Sequence, residues 1–178
     1  MSGLQGKILI AAPKLLDPNF HQTVLLMVQH GQEGAMGLVL NRPTQTSLRQ
    51  AWEEVEEGEC SKEGVIYQGG PCEGPLMLLH THEPAGEIEI GGGVCFSAES
   101  DHVRWLVEGD GGPIKAFVGY AGWSPGQLEG EIAEGAWLVA QGEPEELLEI
   151  DPVWDDLIRR IMPGMIEVKI VPKDPSMN

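Results

Sequence analysis

Short apolar runs alternate along the chain with amphipathic stretches and glycine-rich breaks. Runs of this length between turn residues are the mark of strands. They predict strands at 7–12 (KILIAA), 23–30 (TVLLMVQH), 36–41 (MGLVLN), 64–69 (GVIYQG), 76–82 (LMLLHTH), 114–120 (IKAFVGY), 136–141 (AWLVAQ) and 166–171 (IEVKIV). Between the second and third runs, Gly31-Gln32-Glu33-Gly34 reads as a hairpin turn, because glycine reaches the positive φ that tight turns need. Helical periodicity appears in Leu48, Ala51, Trp52 and Val55 behind a Ser47/Gln50 capping box, with Gly58 as the stop, and again in Val103, Leu106 and Val107 before Gly109. Ser124-Pro125 and Asp151-Pro152 each read as an N-cap followed by proline at the first helical position. The pattern therefore predicts one α+β domain, a mostly antiparallel mixed sheet with about four flanking helices, and no internal repeat or dividing linker.

Composition narrows the function classes. The 178 residues carry 28 acidic against 11 basic side chains, a formal net charge of −17. Such a surface repels nucleic acid and anionic membranes, so neither is an expected partner. The N-terminal fifty residues are the exception, with Lys7, Lys14, Arg42 and Arg49 against Asp17 and Glu33. Cys60, Cys72 and Cys95 have no Cys-x-x-Cys spacing, which points away from a disulfide framework or thiolate metal site and towards a reducing cytoplasm. No apolar run approaches membrane-spanning length, and a cytoplasmic location is the expectation.

Gly-Trp-Ser-Pro-Gly at 122–126 fits the Gly-x-Ser-x-Gly elbow of serine hydrolases. The elbow uses the N–H after the serine as an oxyanion donor, and here that residue is Pro125, which has none. The last histidine in the chain is His102, so no base follows Ser124 in the order that fold uses. Ser124 reads instead as a helix cap, with Gln127 completing a capping box and Trp123 stapling onto Leu128. As a cap, its replacement by alanine should cost about 1 kcal/mol.

Other polar positions suggest chemistry more weakly. His30 ends a strand before the hairpin, and its ordinary titration range suits a base or a metal ligand. His80 and His82 share a face if the strand runs through both, a spacing that permits metal without specifying it. Asn41-Arg42-Pro43 ends a strand with a forked cation suited to a carboxylate or phosphate; the alternative is a turn with a surface ion pair. Asp17 before Pro18 is first a turn residue. Glu129 and Glu131 are two apart on a helix and do not face each other. The glycines of GEIEIGGGV and EGDGGP lack phosphate-loop spacing and read as bends.

Three stretches taken together, GKILIAAPKLLDPNFHQTVLLMVQHGQEGAMGLVLNRP (6–43), YQGGPCEGPLMLLHT (67–81) and GYAGWSPGQLEGEI (119–132), resemble the YqgE/AlgH family of bacterial proteins, and the likeness continues through VWDDLIRRIMPG. The resemblance implies a bent sheet folded into a flattened pseudo-barrel with helices around it. It implies no established activity. One branch bears the name of an alginate-biosynthesis regulator, from which the description of transcriptional regulator derives. Residues 121–160, with ten acids against Arg159 and Arg160, oppose direct DNA contact. Cys72 stands where the family more often has a small aliphatic residue, and it is given no role. The motif residues Asp17, Phe20, His30, Asn41, Arg42, Tyr120, Trp123, Gln127 and Glu129 form the candidate binding surface. The expectation is a non-catalytic binding or regulatory domain, without metal or cofactor, acting on a protein partner or small ligand. The alternative is an enzyme acting on a small molecule at His30, Asn41 and Arg42. Nothing in the sequence sets the oligomeric state.

Overall fold

A computed structural model describes residues 3–110 and 112–162; the expected strand at 166–171 lies outside them. In chain order the elements are β1 (Ile8–Ala11), β2 (Val24–Gly31), β3 (Gly34–Val39), β4 (Pro43–Ser47), α1 (Leu48–Val55), β5 (Val65–Gln68), β6 (Met77–His80), β7 (Ile88–Gly91), β8 (Val94–Ser97), α2 (Ser100–Glu108), β9 (Ile114–Val118), β10 (Ala121–Trp123), α3 (Gln127–Ala133), β11 (Trp137–Ala140), α4 (Pro144–Leu147) and α5 (Trp154–Ile161). The strands divide between two sheets, with orders β10-β3-β2-β1-β11 and β4-β5-β9-β6-β8-β7. All pairings among them are antiparallel except β5 with β9. The α+β class stands, and among the described residues two facing sheets that do not close into a barrel carry it.

Both sheets bury both faces. Ile8, Ile10, Val24, Leu26 and Leu38 of the first sheet meet Met77, Leu79, Phe96 and Phe117 of the second in the central core, which also takes Trp154 and Ile158 from α5. On the outer side of the second sheet, Ile66, Leu78 and Ala116 pack under α1 and α2 through Leu48, Trp52, Val103 and Leu106. On the outer side of the first, Leu9, Leu25, Met27 and Val39 pack under α3 through Leu128. This double burial is why the strands read as continuous apolar runs and not as alternating ones.

Four strands escape the periodicity reading. β4 is, among the described residues, an edge strand of threonine, glutamine and serine paired with β5 alone, so it carries no apolar signal. β7 and β8 form a hairpin through Gly91, Gly92 and Gly93, all at positive φ; the glycines expected as bends are its turn. β10 spans only Ala121–Trp123 beside β3. The Gly31–Gly34 hairpin forms as expected, with Gly34 at φ 127°. A side chain at Gly34 would meet the Trp123 carbonyl oxygen at 2.4 Å, so glycine is what lets β10 approach β3.

The caps divide. Ser47 caps α1 by accepting from the Gln50 N–H at 3.2 Å, and α2 ends at Gly109. Ser124 does not cap α3: the cap position is Gly126, in the left-handed region at φ 77°, and no side chain bonds there. Only the reverse half of the box forms, with the Ser124 N–H donating to Gln127 Oε1 at 3.0 Å. Pro125 forces a tight turn before the helix, which displaces the start to Gln127. α5 likewise starts at Trp154 behind Val153, because the Asp151 carboxylate is turned inward. It accepts from the Tyr67 hydroxyl at 2.7 Å and pairs at 2.8 Å with Lys115, whose side chain is only 4% exposed.

Lys115 also donates to the Leu147 carbonyl at 2.9 Å and lies 4.6 Å from the Tyr67 ring centroid. Burial lowers the Lys115 ammonium below its ordinary range, opposed by Asp151. Burial and the Asp151 carboxylate together push the Tyr67 hydroxyl up. The cluster fastens the segment between α4 and α5 to β5 and β9.

Two expectations follow. Asp151→Ala, which strands a buried ammonium, should cost about 2 kcal/mol in urea unfolding, and Lys115→Met in the same background should restore most of it. Ser124→Ala should change stability by less than about 0.5 kcal/mol, whereas Gln127→Ala, which loses hydrogen bonds at both ends of its amide, should cost about 1 kcal/mol.

Candidate functional site

The site begins with an irregularity in β2. Met27 pairs with Gly37 and Gln29 with Met36, so Val28 is an extra residue, a β-bulge. A bulge reverses the in-out alternation beyond it. Val28 points into the central core, and His30, which would share that side in an unbroken strand, is turned to the face covered by α3. There it stands in one cross-strand row, opposite Ala35, which in turn is opposite Trp123. Directly opposed residues share a face.

Helix α3 meets this row with carboxylates. The His30 Nε2 and Glu129 Oε2 are 2.9 Å apart, the histidine side chain 6% exposed and the glutamate 52%. The Glu129 carboxyl is held below its ordinary range by its own backbone N–H and by His30. The His30 Nδ1 is buried and has no hydrogen-bond partner among the described residues. Leaving such an atom unmet costs about 1–3 kcal/mol. Beside it lies a cleft of about 890 Å³ walled by Gln5, Gln29, His30, the hairpin residues 31–36 and Trp123. Gln5 reaches across to donate to the Val28 carbonyl at 2.9 Å, satisfying the bulge.

Two residues further along α3, Glu131 gathers three donors: Nε1 of Trp123 and of Trp137, each at 3.0 Å, and Nε2 of Gln127 at 2.9 Å. Phe20 stacks on Trp123 at 6.2 Å between centroids and meets Trp137 edge-on at 5.4 Å. Sequence reasoning set Glu131 aside because it does not face Glu129. Its signal was the spacing to tryptophan and glutamine on a helix beside two strands.

The structure brings His30, Trp123, Gln127 and Glu129 together around α3, with Phe20 beneath them. Asp17, Asn41 and Arg42 are engaged elsewhere. Arg42 donates to the carbonyls of Asn19, His21 and Pro18 at 2.7, 3.1 and 3.3 Å. Asn41 accepts from Val24 N–H and donates to the Gln22 carbonyl, both at 3.0 Å, and the Asp17 carboxylate accepts from Asn19 N–H at 2.8 Å. All three hold the loop that carries Phe20, so the turn reading of Asn41 and Asp17 describes the geometry, and the forked cation of Arg42 grips backbone. Tyr120 exchanges two backbone hydrogen bonds with Cys72 and packs its ring against the central core.

No histidine nitrogen is paired with the Ser124 hydroxyl among the described residues; the partner of His30 is Glu129. The strand-turn-helix setting of an elbow is present between β10 and α3, but its oxyanion donor and base are not.

His80 and His82 do not form a ligand pair. β6 ends at His80, which is fully buried. Its Nδ1 accepts from the His82 N–H at 3.1 Å and its Nε2 lies 2.8 Å from Ser97 Oγ, whose proton goes to the Ala85 carbonyl. That network fixes the Nε2–H tautomer. Burial, with a lesser contribution from the charge of His82, lowers the pKa of His80 to about 4. His82 stacks on Trp105 at 4.2 Å. The one group among the described residues with metal-ligand spacing is Glu87, Glu99 and His102. Glu87 Oε2 already receives the N–H groups of Ala98 and Glu99 and His102 Nδ1, at 2.9, 2.8 and 3.0 Å. Burial alone would raise the Glu87 carboxyl, but these hydrogen bonds, led by His102, hold it below its ordinary range. This carboxylate serves the start of α2.

These layers define a class: an α/β/β/α sandwich whose outer helix closes over a cross-strand histidine beside a hairpin-walled cleft. The chain belongs to the AlgH-like family, whose model matches residues 8–165. It is similar to a UPF0301 protein of Streptomyces avermitilis, 35% identical over all of this chain and 97% of that one. A second UPF0301 protein, from Chlorobaculum tepidum, is 34% identical over 97% of this chain and 95% of its own. Among solved structures, the AlgH protein from Pseudomonas aeruginosa superposes with a TM-score of 0.74 at 32% identity, covering 89% of each chain. A protein from Corynebacterium diphtheriae, at 24% identity and TM-score 0.64, shares the fold. No helix among the described residues is long and apolar enough to cross a membrane.

His80 gives a pH-dependent expectation. Its folded pKa lies below the unfolded value of about 6.5, so the unfolded chain takes the proton first as pH falls. Its contribution to stability is complete above about pH 6.5 and lost between there and about 4. The difference between wild type and His80→Gln in urea midpoint should therefore shrink across that window, and a constant difference would contradict the buried neutral ring.

Proposed function

We propose that the protein is a cytoplasmic, non-catalytic binding domain that takes a small, uncharged or cationic ligand in the cleft beside His30. One observation carries the reading: an 890 Å³ cleft walled in part by His30, whose side chain is nine-tenths buried and held by Glu129 at Nε2. Ligand sites are concave, with a few convergent polar groups that fix orientation; here these are His30 and the amides of Gln5, Gln29 and Gln32. Glu33 lines the cleft and, among the described residues, no lysine or arginine does, which disfavours anions. Any regulatory role suggested by the family name would then run through a ligand or protein partner, since the acidic surface opposes DNA.

A second reading is supported by the His30–Glu129 pair itself. A carboxylate that orients an imidazole is the usual support of a general base, so an enzyme using His30 on a small molecule is the alternative. Asn41 and Arg42 have no part in it, being committed to the 18–22 loop.

Screening a library of neutral and amine-bearing small molecules by 15N NMR tests the first reading. Binders should perturb the amides of Gln29, His30, Gln32 and Trp123. His30→Leu, which fills the volume without ring nitrogens, should weaken them roughly tenfold, about 1.4 kcal/mol, with melting retained. Binders that map elsewhere, or that ignore the substitution, would contradict it. Turnover of a bound molecule, lost in the same variant, would favour the second reading.

A further inference from the structure

The open flank of α1 carries a surface independent of the His30 cleft. Leu48, Ala51, Trp52, Val55 and Glu56 along and just past the helix, with Ile66 and Val118 of the sheet below and Leu76 just before β6, line a mostly apolar hollow of about 260 Å³. On the other flank α1 is closed against α2: Trp52 Nε1 donates to Glu108 at 2.9 Å, Arg104 lies 5.8 Å from the Trp52 ring centroid, and Arg104 pairs with Glu56 at 2.8 Å. Nothing comparable covers the hollow among the described residues. Val55 belongs to the apolar stripe of α1 yet is 82% exposed.

The helix and the turn after it carry charge of one sign. Glu53, Glu54, Glu56, Glu57 and Glu59 follow along and beyond the helix with no lysine or arginine between Arg49 and Lys62. Glu56 is neutralised by Arg104, whereas Glu54, Glu57 and Glu59 are exposed. Glu73, also exposed, stands just before Leu76 on the sheet side. An apolar hollow edged by Val55, with the exposed carboxylates of Glu54 and Glu57 next to it in the chain, is complementary to a segment that presents an apolar anchor between basic residues. Burying such an anchor supplies the affinity, and the charges steer and orient it.

We propose that this hollow docks a partner-protein segment with an apolar anchor flanked by lysine or arginine.

The probe is a short amphipathic helical peptide of leucine and lysine, compared with leucine/glutamate and alanine/lysine versions, titrated by calorimetry and 15N NMR. The leucine/lysine peptide should perturb the amides of Ala51, Val55, Leu76 and Val118 and bind less tightly as salt rises. Val55→Ser and, separately, the Glu54→Lys/Glu57→Lys pair should each weaken it roughly tenfold, about 1.4 kcal/mol, without changing the melting temperature. Equal binding of the alanine/lysine peptide would reduce the effect to charge alone and overturn the proposal. Perturbations away from the hollow, indifference to Val55→Ser, or equal binding of the leucine/glutamate peptide would overturn it too. Val55-dependent binding of this chain to phosphatidylcholine vesicles, with none to the peptide, would assign the surface to lipid instead.

Discussion

The first sheet has to bury both faces, and that constraint organises the molecule. Val24 to Val28 are buried without a break, because one side of β2 meets the second sheet and the other meets α3. A strand so placed has no solvent face on which to hold a polar side chain. The extra residue at Val28 ends that run and reverses the alternation, so the first histidine beyond it faces a helix instead of the central core. Without the bulge His30 would lie on the other face of β2, away from Glu129.

Once α3 must lie over this face, its polar groups have to be met there. Glu131 meets two indole N–H groups and an amide in one place, joining α3 to β10 and β11. Phe20 completes the aromatic packing, and the loop that presents it is held by Asn41 and Arg42 through backbone carbonyls. Most of the motif residues are thereby used in setting one helix on one sheet. His30 differs from the rest: one nitrogen is paired, the other is buried without a partner among the described residues, and the residue walls part of the hairpin cleft.

Much of the fold was legible because doubly buried strands announce themselves as apolar runs, and because Ser47/Gln50 and Gly31/Gly34 place a cap and a turn by local chemistry. The misses have physical causes. Edge strand β4 needs hydrogen bonds on one side only, and threonine and glutamine serve there. Ser124 has the composition of a cap, but Pro125 sets a turn first and Gly126 takes the cap position. Asp151 looks like a cap until Lys115 and Tyr67, distant in sequence, draw its carboxylate inward. For the candidate site, His30, Trp123 and Glu129 were nameable as motif residues, but their meeting depends on a bulge that no side chain encodes visibly. Arg42 was legible as a forked donor; that it would grip backbone carbonyls depends on a loop folding back from another part of the chain.

The account rests on His30 standing at the wall of the hairpin cleft, and a crystal structure fine enough to show ordered solvent tests it most directly. The account predicts density for a water or small molecule in the hairpin cleft against His30, with Nε2 still on Glu129. Density showing Nδ1 capped by a group of the protein itself, with the cleft filled by the chain's own residues, would contradict it.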